Sequence, residues 1–111
     1  MILYGIPNCD TVKKARKLLE TQGTSYQFHD FRKDGLTQEK LQTWLNEIGL
    51  EKLTNKRSTT WKQLDDSVKE SWSEQSALSV FLENPTLIKR PVLETNSTTL
   101  IGFKEADYKN L

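Results

Sequence analysis

The sequence is poor in the residue types that staple or ligate a fold: it has one cysteine, Cys9, and one histidine, His29, in 111 residues. A lone thiol closes no internal disulfide, and with a single imidazole it offers too few soft ligands for structural zinc. A stapled secreted scaffold and a zinc finger are therefore excluded, and no metal is expected. Charge of one sign is also lacking. Sixteen Lys+Arg against fifteen Asp+Glu leave a net +1, too weak a field to hold nucleic acid or an anionic membrane, so neither is an expected partner. No apolar run approaches the ~18 residues of a membrane span, and the start lacks the basic and apolar regions of a signal peptide. The expected compartment is the reducing cytoplasm, where a free thiol persists. Repeats and low-complexity tracts are absent, and all five glycines fall between periodic segments. The whole chain, 1–111, is thus expected to fold as one domain.

What is present reads as a regular order of elements. Ile2, Leu3, Tyr4 and Ile6 form a short apolar run ended by Pro7-Asn8, a buried strand and turn. From Asp10, the spacing of Val12, Ala15, Leu18 and Leu19 predicts a helix that stops at Gly23. Ser25–Phe31 follows as a second strand, so the first three elements imply a parallel pair with a right-handed crossover. Thr37 caps a helix with Leu36 and Leu41 at the staple positions and an apolar stripe of Leu41, Trp44, Leu45 and Ile48 up to Gly49. Leu50–Ser71 predicts a loop and one or two short helices, and Ser73 caps a helix through Glu83. Val92–Thr95 and Thr98–Ile101 flank Asn96-Ser97 as a tight hairpin, although a primed two-residue turn prefers Gly in second place. A short helix over Lys104–Leu111 closes the chain. The order βαβ, helices, ββα gives an α/β sandwich with a mixed sheet and a helical insertion at about 36–84.

Cys9 carries the most chemical information. It falls where a strand-turn passes into a helix, and unpaired amides at a helix N-terminus favour a thiolate, lowering the pKa from about 8.5. Asp10 opposes that effect, and Lys13, one turn on, is the expected compensating cation. Val12 occupies the place of a second cysteine in a Cys-x-x-Cys pair. A disulfide captured on Cys9 would then need an outside thiol such as glutathione to resolve it. Arg57 and Arg90-Pro91 form the other constellation: guanidinium groups suit carboxylates or an oxyanion, and a proline before a strand suits a cis bond beside a peptide-like ligand. His29 reads as a strand-end or core residue. Trp44, Trp61 and Trp72 read as packing, and Lys13-Lys14-Arg16-Lys17 as a solvated helix face, with an acidic partner as the alternative.

Four segments together carry a family resemblance: Tyr4-Gly5-Ile6-Pro7-Asn8-Cys9-Asp10-Thr11-Val12-Lys13-Lys14-Ala15-Arg16, Asn55-Lys56-Arg57, Arg90-Pro91-Val92 and Leu100-Ile101-Gly102-Phe103. The sequence resembles the arsenate reductase (ArsC)/Spx family along its whole length, and within it the YffB branch. That resemblance implies a thioredoxin-like fold with an inserted helical subdomain. It also implies a nucleophilic cysteine at Cys9, a cis proline at Pro91, and Arg90 as the residue holding an oxyanion or thiol substrate. Arg57 is similar to the arginine of the Asn-x-Arg segment of the YffB and Spx branches. Two departures stand out. Asn55 and Gly102 occupy positions where arsenate reductases place further arginines, and Val12 removes the disulfide switch of Spx regulators.

The expected function is a glutathione-dependent thiol reductase using Cys9, with Arg57, Arg90 and Pro91 binding substrate and glutathione as co-substrate. The alternative is a non-catalytic, Spx-like regulator that docks on RNA polymerase or another protein. Arsenate reduction is the weaker third reading.

Overall fold

The apolar run at the start becomes β1, Ile2–Gly5, with Leu3 and Tyr4 fully or nearly fully buried. In the computed structural model, which describes residues 1–111, α1 spans Asp10–Thr21 and β2 spans Gln27–Asp30. The buried stripe of α1 is Val12, Ala15 and Leu19. Gly23, at φ +72°, lets the helix end in a Schellman motif, its amide reaching Glu20 O at 3.1 Å while that of Thr24 reaches Leu19 O at 2.9 Å. β1 pairs with β2 in parallel, Leu3 opposite Phe28, as a strand–helix–strand crossover requires. Later in the chain β3, Val92–Glu94, pairs antiparallel with β1, and β4, Thr99–Ile101, pairs antiparallel with β3. The sheet order is β2-β1-β3-β4.

The chain divides into two compact units: Met1–Gly35 with Arg90–Leu111, and Leu36–Lys89. The first holds the sheet, α1 and the terminal helix α7, Glu105–Lys109. Its core gathers Leu3, Ala15, Leu19, Leu93 and Tyr108, with Leu18, Phe28, Leu100 and Phe103 leaning on it. Tyr108 is fully buried, and its hydroxyl has no hydrogen-bond partner. A buried hydroxyl without a partner costs desolvation for no return. Tyr108→Phe is therefore expected to leave stability unchanged or raise it by up to about 1 kcal/mol in urea denaturation. A clear loss would reveal a partner for that oxygen.

The second unit is helical. Thr37 accepts the Lys40 amide at 3.1 Å and starts α2, Gln38–Ile48. Gly49, at φ +95°, ends it and at once begins α3, Leu50–Leu53. The expected loop with one or two helices is in fact three short helices, adding α4 at Thr59–Gln63 and α5 at Asp66–Glu70. The extra division arises because the polar stretch carries its own cap: Ser58 Oγ accepts the Trp61 amide at 3.1 Å. Ser73 opens α6, Glu74–Glu83, through a reciprocal box with Ser76. Trp44, Leu45, Leu53, Phe81 and Ile88 are buried. Trp72 stacks edge-on between Trp61 and Phe81 at 5.2 and 5.5 Å, its indole N–H donating to Thr54 Oγ1. The tryptophans pack, as expected where no basic-aromatic strand pattern accompanies them.

The strands of the β3–β4 hairpin stop one residue short of the expected Thr95 and Thr98, so residues 95–98 connect them. The Thr95 amide donates to the Thr98 carbonyl at 2.8 Å, and the turn is not a primed one, since no non-glycine residue has positive φ. Thr95 substitutes for the missing glycine: its Oγ1 accepts the amides of Ser97 and Thr98 at 3.3 and 3.0 Å.

Candidate functional site

The sheet unit places Cys9 where β1 hands over to α1. The chain turns after Ile6, whose carbonyl accepts the Cys9 amide at 3.2 Å, and Cys9 becomes the N-cap of α1 with extended φ/ψ. The thiol thus stands outside the carboxyl end of a parallel strand and at the positive end of a helix, the usual place for ligand chemistry in such a sheet. It is half-buried.

β1 approaches α1 closely here. A Cβ at Gly5 would lie 2.7 Å from Val12 Cγ2 and 3.3 Å from Cγ1, and Val12 is fully buried one turn from Cys9. Gly5→Ala is expected to push the first turn of α1 outward, costing about 1–3 kcal/mol and slowing alkylation of Cys9. Val12→Ala in the same chain should restore much of both.

The electrostatics of the thiol follow from its neighbours. Burial pushes its pKa up, but the Thr11 hydroxyl, the Val12 amide and the Arg90 guanidinium, by hydrogen bond and by charge, together outweigh it and hold the thiol below its ordinary value. Thr11 Oγ1 lies 3.2 Å from Sγ. Sγ closes no capping hydrogen bond of standard geometry, yet the Val12 amide points at it and favours the anion. The compensating cation is Arg90 rather than the expected Lys13, which is exposed and absent from the groups that shift the thiol.

Register explains how Arg90, 81 positions away in sequence, comes to the sulfur. Tyr4 pairs with Val92, so continuing the antiparallel ladder brings Arg90 alongside the turn that carries Cys9. The Arg90–Pro91 bond is cis, as the resemblance implies, and the Pro91 carbonyl accepts the Gly102 amide at 2.9 Å. Gly102 is buried at φ +72°, a conformation that favours glycine.

Cys9, Arg90 and Pro91 therefore belong to one unit. Arg57 belongs to the other. It lies exposed in the turn after Asn55, whose Oδ1 accepts its amide at 3.2 Å, and it borders a groove of about 480 Å³ with Lys52, Lys56 and Lys89. His29 is half-buried on β2, its Nε2 2.6 Å from the Gly35 carbonyl and its ring 4.8 Å from that of Tyr4. The residue that sequence reasoning missed is Thr11. Its signal was available, since a hydroxyl two places after a helix-capping cysteine faces the sulfur.

The arrangement fits a sequence family. The ArsC family model matches residues 4–111. The chain belongs to the ArsC family. An uncharacterised protein of Haemophilus influenzae is 50% identical over 107 residues, 96% of this chain and 94% of its own. The solved structure of a YFFB protein superposes with a TM-score of 0.94 at 41% identity, covering 98% of this chain and 96% of that one. The global transcriptional regulator Spx of Streptococcus mutans is 29% identical over 109 residues, 96% of this chain and 79% of its own. This ArsC-family chain thus has the thioredoxin-like α/β architecture of its relatives, with a mixed four-stranded sheet. No helix is long and apolar enough to cross a membrane.

Proposed function

We propose that the protein is a monothiol reductase that resolves mixed disulfides with glutathione. The observation that carries this reading is the single sulfur of Cys9 at the start of α1, with the Thr11 hydroxyl and the Arg90 guanidinium beside it. The Cys9 thiolate attacks the glutathionyl sulfur of a substrate disulfide; a Cys9–glutathione disulfide forms as the substrate thiolate leaves and takes a proton from water. A second glutathione thiolate then attacks the glutathione sulfur of that disulfide. Oxidised glutathione departs, and Cys9 returns as thiolate. With Val12 where a resolving cysteine would stand, the second step falls to an outside thiol. Arg90 holds a glutathionyl carboxylate in its guanidinium fork, while Arg57, in the other unit, carries only the family likeness of its Asn-x-Arg segment.

The test is trapping. A glutathionylated peptide mixed with the protein in the absence of free glutathione should leave one glutathionyl group on Cys9 by mass spectrometry, removed when glutathione is added. An unmodified Cys9 under those conditions would reject the cycle.

Arsenate is the weaker substrate in this reading, because Asn55 and Gly102 are neutral at positions where the family resemblance implies arginines in arsenate reductases. A second reading rests on the Spx relatives, which are named as regulators: the fold would serve as an adaptor for a protein such as RNA polymerase, and Cys9 would not turn over. Turnover separates the two: repeated release of oxidised glutathione is expected of the reductase and not of an adaptor.

A further inference from the structure

A second feature of α1 plays no part in the thiol chemistry. Four cations, Lys13, Lys14, Arg16 and Lys17, crowd its middle. Arg16 is engaged, its guanidinium 4.2 Å from the centre of the Phe28 ring and its Nε donating to Tyr26 Oη at 3.2 Å. The three lysines are exposed and form no ion pair within the chain.

Two of them border a groove. Lys14 and Lys17, with Leu18, Thr21, Phe103 and Glu105, enclose about 300 Å³. Its apolar floor is preformed: Leu18 and Phe103 are half-buried and lean on the core of the sheet unit, and the Phe103 ring meets that of Tyr108 edge-on at 5.0 Å. The one carboxylate at the groove, Glu105, is paired with Lys109 at 3.3 Å and does not answer the lysines. The groove begins more than a helical turn beyond Cys9, so it is separate from the thiol.

We propose that this groove docks an acidic segment of a partner protein. An apolar side chain of the segment rests on Leu18 and Phe103, and flanking carboxylates meet Lys14 and Lys17, with Lys13 adding to the field. Charge complementarity selects the sign of the partner, and the apolar floor selects a peptide. A nucleic-acid strand would want cations tracking a longer path and aromatic faces open for stacking. The volume suits one or two side chains and lies at the lower limit for a small-molecule pocket.

The test uses a fluorescein-labelled peptide with a Phe-Leu pair flanked by glutamates, titrated with the intact protein at low ionic strength. Saturable binding is expected, weakening with salt and falling about tenfold or more in the Lys14→Glu/Lys17→Glu double variant. Amide shifts should centre on Leu18 and Phe103, and the alkylation rate of Cys9 should stay near that of the parent. Four results would each overturn the proposal: no binding, undiminished affinity in the double variant, equal affinity for a peptide with Ser in place of Phe-Leu, or tighter binding of a single-stranded oligonucleotide.

Discussion

Cys9→Ser should lose turnover of glutathionylated substrates by on the order of 10³-fold or more while the fold stays intact, because a serine hydroxyl is not ionised at neutral pH and cannot carry the disulfide. The position makes this an unusually clean substitution. Cys9 is the N-cap of α1 and closes no standard capping bond, whereas serine is a preferred N-cap whose Oγ accepts an amide of the first turn. Stability is expected to hold or rise by about 0.5–1 kcal/mol. Loss of activity in a chain with an undiminished melting temperature therefore reports chemistry. Retained turnover would remove the sulfur from the mechanism.

Arg90→Ala is expected to lower kcat/KM for a glutathionylated substrate by on the order of 10–100-fold, through two separable effects. Removing the guanidinium takes away a group that holds the thiol pKa down, so less thiolate is present at neutral pH. It also removes the fork proposed to hold a glutathionyl carboxylate. Raising the pH tells the two apart: a neutral alkylating reagent should recover its rate once Cys9 is ionised, whereas KM for the glutathionyl substrate should stay high. Arg90→Lys keeps the charge but not the fork, so it should restore the ionisation more fully than KM. A variant with unchanged KM at high pH would leave Arg90 only its electrostatic part.

The strand and helix that frame the site were legible because their signals are local. The run Ile2–Ile6 and the stripe Val12, Ala15, Leu19 set β1 and α1, and Cys9 falls between them with Gly23 closing the far end. Thr37 and Ser73 likewise cap the helices their spacing announces. The region after Gly49 was less legible, because Ser58 starts a helix without any apolar periodicity around it. Contacts distant in sequence left no trace. Tyr4 donates to Glu94 at 2.8 Å and Arg90 acts on Cys9, both through the pairing of β1 with β3. Nothing near Cys9 names its cation, which is why local charge pointed to Lys13. Arg90 and Pro91 stood out through their own chemistry, family likeness joined them to Cys9, and strand register supplies the physical reason.

The sign of the pH dependence follows from the lowered thiol pKa. Contacts that favour the thiolate add stability above the ordinary thiol pKa and fade as pH falls through the folded value. Reactivity follows the same ionisation, rising with pH and levelling once the thiolate predominates. The most direct measurement is thus the rate of Cys9 alkylation by iodoacetamide as a function of pH in the parent, Thr11→Val and Arg90→Ala proteins. The expected midpoint lies below the ordinary thiol value of about 8.5 in the parent and moves upward in both variants. A parent midpoint at or above that value, unmoved by either substitution, would contradict the account.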